Sequence, residues 1–177
     1  MKENWVQVWG QAHSALSFFY YPSCKKTYRL VIKSAVSGKK VKLELSNEHA
    51  KNDVEIGSVT VAKCDEKGNF TSEFKTISVN SKKSFIIAKG DVVSTDEVEL
   101  DIEAGEYFCV SAYVTNGALR SGNLIDDAYL ITAKGDVTTQ SEVENQTRIR
   151  DSVREFASTA LRMIFISPYP CFRRCRF

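Results

Sequence analysis

Hydrophobic and polar residues alternate with a period of two through most of this chain, and that period predicts β-strands. The clearest case is Val41-Lys42-Leu43-Glu44-Leu45, where Val41, Leu43 and Leu45 share one face and Lys42 and Glu44 the other. Val98-Glu99-Leu100-Asp101-Ile102-Glu103 repeats the pattern with acidic residues on its polar face. Residues 27–33 are rich in β-branched and aromatic side chains, and residues 54–62 form another strand with Gly57 as a bulge or crossing point. Further strands are predicted at 70–79, 85–87, 107–114 and 128–132, and 107–114, the most apolar, is expected to be central.

The punctuation fits the strands. Ser46-Asn47, Glu66-Lys67-Gly68-Asn69, Lys89-Gly90-Asp91, Ala104-Gly105-Glu106 and Asn116-Gly117 all carry turn chemistry. Short strands between Gly, Asn and Ser turns, without βαβ spacing, predict an all-β fold: a jelly-roll-like antiparallel β-sandwich. From Ser141 the period changes. Ile149, Val153, Phe156, Ala160 and Ile164 recur at helical spacing and predict a helix over 148–166. Ser141 with Glu144 would form a capping box, or Thr147 would start the helix one turn later. Ser167-Pro168-Tyr169-Pro170 would end it, before a final strand or linker at 171–177. The expected division is a β-sandwich over residues 1–140 and a C-terminal helical segment with an Arg-rich linker over 141–177.

Composition narrows the function classes. The chain has 177 residues, 43% hydrophobic and 26% charged, which suits one folded domain. No apolar run approaches the ~20 residues of a membrane helix, and the start lacks an apolar signal sequence. A cytoplasmic protein with no membrane partner is expected. The five cysteines Cys24, Cys64, Cys109, Cys171 and Cys175 lack metal-ligand spacing and read as free thiols in a reducing compartment. Residues 148–177 hold seven arginines against Asp151 and Glu155. These arginines are interleaved with apolar residues, as in a packed or partner-facing segment, so no nucleic-acid partner is expected.

Catalytic signatures are missing from the sequence. The only histidines, His13 and His49, lie outside any recognised motif, and there is no Gly-x-Ser-x-Gly elbow, Gly-rich phosphate loop or His-Glu-x-x-His. The acidic positions Glu97, Glu99, Asp101 and Glu103 read as a solvated strand face. No catalytic, cofactor-binding or metal-binding residue is expected. The aromatics crowded into residues 5–21 offer a binding alternative, because Trp5 and Trp9 would suit stacking on a sugar ring; the other reading has them anchor one end of the core.

Several ordered stretches resemble the N-terminal β-sandwich of SGNH-type (GDSL) hydrolases. They are Trp5-x-x-x-Trp9, a strand led by Arg29, the turn at Ser34–Gly38, and the alternating strand ending in Ser46-Asn47. Ile56-Gly57-Ser58-Val59-Thr60-Val61-Ala62, the step from Gly90 to Asp96 and the strand with Val110-Ser111 continue the order, which covers about residues 5–135. The resemblance implies a non-catalytic accessory domain beside an esterase domain that cleaves acyl or carbohydrate esters. Arg29, Ser46 and Asn47 are its signature positions. The family's Gly-Asp-Ser block and Asp-x-x-His do not occur here, so the chain alone is expected not to be an enzyme. Its partner would be a missing or separate hydrolase domain, and the Arg- and Cys-rich ending suggests truncation or a shifted frame. The alternative is a free-standing carbohydrate-binding jelly roll.

Overall fold

The computed structural model describes residues 5–10, 25–48, 52–116, 128–144, 147–149 and 161–168. They form twelve strands and, among the described residues, no helix. The strands are β1 (Val6–Gly10), β2 (Lys26–Lys33), β3 (Gly38–Ser46), β4 (Val54–Cys64), β5 (Lys75–Ile77) and β6 (Phe85–Ile87), followed by β7 (Val92–Ser94), β8 (Val98–Ile102), β9 (Tyr107–Asn116), β10 (Ala128–Lys134), β11 (Thr147–Ile149) and β12 (Leu161–Pro168).

Two antiparallel sheets result. The first runs β1-β12-β3-β7, with β8 also on β3; the second runs β11-β10-β2-β9-β4-β5, with β6 also on β4. Between them lies the main core, which includes Leu30, Leu43, Ile56, Val61, Phe108 and Ile164. The alternation expected at 41–45 is realised in β3, where Val41, Leu43 and Leu45 are buried and Lys42 and Glu44 are not. β9 sits between β2 and β4, the central place its apolar composition implied. The pairing of β4 with β9 slips on both sides of Ile56, next to Gly57. A Cβ on Gly57 would lie 2.8 Å from Tyr113 Cδ1 and Thr115 Cγ2, so glycine allows the strands to close there.

The second sheet breaks the simple alternation. Six consecutive residues of β2, from Thr27 to Ile32, are buried. Both faces of this sheet are covered. Tyr28, Leu30 and Ile32 enter the main core, while Val31 joins Cys64, Cys109, Ile131, Ala133 and Val143 in a second cluster on the outer face. Two loops cover that face: the hairpin tip at 65–70 and a strap over residues 135–144.

Two expectations require correction. The strand predicted at 70–79 contracts to β5, with isolated bridges at Phe70 and Val79. Asn80 and Ser81 both take left-handed backbone (φ 50° and 64°), closing a two-residue turn between Val79 and Lys82. The helix predicted over 148–166 does not form at either end. Residues 147–149 are β11, and β12 opens at Leu161. Ser141 and Glu144, the expected capping box, lie in bends and turns; residues 150–160 and 169–177 lie outside the described residues. The physical reason is a period-two signal inside the helical one: Ile164 and Ile166 both enter the core from β12, which pairs with β1 on one side and β3 on the other. Strands from beyond residue 140 therefore complete the same two sheets.

Gly38 tests the seat of β12. A Cβ there would collide with the Ile166 side chain and the Ser167 backbone carbonyl, and the backbone atom has no rotamer in which to retreat. Gly38→Ala is expected to lower unfolding free energy by roughly 1–3 kcal/mol, the usual cost of overpacking. Urea denaturation measures it, and an unchanged midpoint would show that β12 does not lie against β3.

Candidate functional site

The most organised polar centre lies on the outer face of the second sheet, around Arg29. Its neighbours in the sequence, Tyr28 and Leu30, point to the main core, so alternation places the Arg29 side chain outward, beneath the strap. There it is 1% exposed. Nε donates to Ser111 Oγ at 2.8 Å. Nη1 donates to the carbonyls of Gly68 and Ser141, both at 2.9 Å. Nη2 donates to the carbonyls of Gln140 at 2.5 Å and Val137 at 3.4 Å. A guanidinium has five N–H groups, and each is used. Arg29 Cζ also sits over the Phe70 ring, 4.3 Å from its centroid.

The acceptors are held in place by local chemistry. Asp65 Oδ1 accepts the amides of Lys67 and Asn69, each at 2.8 Å, and its Oδ2 accepts Asn69 Nδ2 at 3.0 Å. This cage turns the hairpin so that the Gly68 carbonyl meets Arg29. Gly68 has φ +86°, and a Cβ there would come within 2.9 Å of Val31 and Ile131. On the strap, Thr138 is tied to β4 by its carbonyl, which accepts Thr60 Oγ1 at 2.7 Å, and by its hydroxyl, 3.0 Å from Ser58 Oγ. Thr27 Oγ1 donates to the Gly135 carbonyl at 2.6 Å and accepts the Val137 amide at 3.0 Å.

Burial lowers the Arg29 pKa from its ordinary value, with the Cys109 and Cys64 side chains acting in the opposite direction. Burying a charge costs several kcal/mol, and hydrogen bonds to charged groups contribute about 1.5–3 kcal/mol each. Five such bonds can offset the cost, whereas a half-satisfied guanidinium could not. With every donor engaged, Arg29 has none left for a ligand.

The other signature positions are also committed to the fold. Asn47 is buried at the end of β3, where its Nδ2 group reaches the carbonyls of Asn52 and Ile87 at 3.0 Å and Ala88 at 3.3 Å. Its own amide donates to Asp91 O, and its carbonyl accepts from Gly90 N. Ser46 Oγ donates to Glu48 Oε2 at 3.0 Å and accepts the Glu48 amide at 3.2 Å. Together they gather the chain entries to β4 and β7 around the end of β3.

Trp5 and Trp9 do not form a shared platform. Trp9 is 8% exposed and lies within the main core, and its indole Nε1 has no hydrogen-bond partner among the described residues. Trp5 is half-buried, and Lys42 Nζ sits 4.4 Å above its ring. His13, His49, Cys24, Cys171 and Cys175 lie outside the described residues. Among the described residues no group of three or more His, Cys, Asp or Glu is placed to hold a metal ion, and no helix is long and apolar enough to cross a membrane.

Residue patterns alone do not single out the strap or the Cys64–Cys109 pair, and Ser111 enters only through the Val110-Ser111 stretch of the resemblance. Asp65 four residues before Asn69, with Gly68 between, is a spacing that favours a side-chain-capped turn.

Two measurements follow from this geometry. Arg29→Lys keeps the charge but offers three donors in place of five, so it leaves buried carbonyls without partners. It is expected to cost about 2–4 kcal/mol in urea unfolding; a loss below about 0.5 kcal/mol, the scale of an ordinary surface substitution, would contradict the clamp. The second concerns pH. Burial raises the Asp65 carboxyl, but hydrogen bonds from Asn69, Lys67 and Gly68 outweigh it and hold the pKa below the ordinary value. Bonds from Ser78, Ser81 and Asn80 lower Asp96 in the same sense. A carboxylate with a lowered folded pKa contributes stability in full above its unfolded value of about 3.9 and loses it as pH falls below that. The urea midpoint should therefore hold from about pH 7 to 5 and fall between roughly pH 4 and 3. Asp65→Asn should flatten that fall, and a midpoint that rises on acidification would contradict the assignment.

No protein-family model matches the chain, and no curated protein matches it. The functional reading therefore rests on the geometry and on the ordered sequence resemblance.

Proposed function

We propose that this chain is a non-catalytic jelly-roll sandwich that serves as the accessory domain of a GDSL-type ester hydrolase. The observation that carries the reading is the use made of Arg29, Ser46 and Asn47. Each is buried, and each directs its polar atoms to loops of this chain. A sequence signature built from loop-fixing residues suits a domain whose task is to hold a shape beside a partner.

Strand order supports the jelly-roll assignment. β1-β12-β3-β8 faces β2-β9-β4-β5, so early strands pair with late ones across the chain, as in two nested Greek keys. β10 and β11 extend the second sheet beyond β2. Jelly rolls host unrelated functions, so this order supports the fold reading and not the activity. Sugar stacking draws less support, because Trp9 is enclosed in the core and Lys42 covers a face of Trp5.

Two results test the proposal. The purified chain is expected to turn over p-nitrophenyl acetate no faster than a blank and to resist labelling by a fluorophosphonate; labelling of one serine would overturn the non-catalytic assignment. The coding sequence beyond the Phe177 codon, read in all frames, or a neighbouring gene is expected to encode a Gly-Asp-Ser block with a distant Asp-x-x-His. A locus with no hydrolase would overturn the partner assignment.

A further inference from the structure

We propose that Cys64 and Cys109 form a latched dithiol, which a small disulfide such as oxidised glutathione converts to an intramolecular disulfide when the 135–144 strap lifts. The two cysteines lie on adjacent strands. Ala62 pairs with Cys109 and Cys64 with Tyr107, so the cysteines are diagonal neighbours offset by two residues on one face of the sheet. Both are free and buried, and both belong to the same apolar cluster. Above them lie Val137 and Val143 of the strap and Phe70 of the hairpin tip.

The latch is polar and local. The strap hangs on Arg29, on Thr27, on the Thr60–Thr138 bond and on the Ser58 contact, while the sheet beneath is held by continuous ladders from β2 to β4. Breaking a few exchangeable contacts exposes the pair without separating the sheets, which is how local opening proceeds at a cost below global unfolding. Closed, the pair is inert: the neighbouring Cys109 thiol and burial raise the Cys64 pKa, and the thiolate is the reactive form.

Once open, one cysteine loses its proton, and its thiolate attacks a sulfur of oxidised glutathione. The glutathione S–S bond breaks, a mixed disulfide forms, and the departing glutathione thiolate takes up the proton. The second cysteine, deprotonated in turn, attacks the protein-bound sulfur and expels the second glutathione. The protein loses two hydrogens, and one glutathione disulfide becomes two thiols. Diagonal neighbours lie about 7–8 Å apart, just beyond the Cα spacing a disulfide usually spans, so closing the bond draws the two strands together locally and leaves a strained, readily reduced product.

The test is incubation of the full chain with oxidised glutathione, alkylation, and non-reducing peptide mass spectrometry. A peptide pair joining Cys64 to Cys109 is expected, formed severalfold faster in Arg29→Lys and reversed by reduced glutathione. If Arg29→Lys does not fold, Thr60→Val removes one strap bond at nearly constant shape and should also accelerate the link. Mixed disulfides without the 64–109 link, links to other cysteines alone, or a rate unchanged by the folded latch variants would overturn the proposal.

Discussion

The constraint on which the outer half of this sandwich depends is the burial of the Arg29 charge. A guanidinium placed on the outer face of a sheet and closed off from water must find an acceptor for each of its N–H groups. Four of the five acceptors are backbone carbonyls from two separate loops, at Gly68, Val137, Gln140 and Ser141. Satisfying the charge therefore fixes both loops, and the fixed loops create the second apolar cluster beneath them. This accounts for the uninterrupted burial of β2, which a sheet with one wet face would not show.

The two faces of the molecule thus rest on different physics. Between the sheets, stability comes from close-packed aliphatic side chains at alternating positions, visible in the sequence wherever one face of a strand is wet. Outside the second sheet it comes from a polar network with an apolar surround. Every member of that network has to be satisfied, because a lost partner leaves a buried carbonyl or charge. Of the signature positions Arg29 belongs to this network, while Ser46 and Asn47 bond loops at the end of β3.

What the sequence makes legible follows the range of each interaction. β3 and β8 were readable because alternation is local, and the irregularity at Gly57 because glycine marks a bulge within its own strand. β12 was not. Ile149, Val153, Phe156, Ala160 and Ile164 satisfy a helical period, and only the distant partners β1 and β3 select the Ile164/Ile166 alternation. β1 was not legible as a strand, because the stretch around Trp5 and Trp9 left both a sugar-stacking and a core-anchor reading open; pairing with β12 carries Trp9 into the core. At the polar centre, Arg29 stands out in the sequence but its partners do not. They lie 39 to 112 residues away, and backbone carbonyls leave no mark in residue identity.

The central claim is that the Arg29 guanidinium is locked by hydrogen bonds to its own fold. Side-chain NMR of the chain with 15N-labelled arginine tests it directly, with Arg29 assigned by the signals that disappear in Arg29→Lys. The account expects Arg29 Nε–H and separate, slowly exchanging Nη–H signals at neutral pH and room temperature, where exposed arginines average or exchange away. Arg29 signals that average like those of the exposed arginines would contradict it.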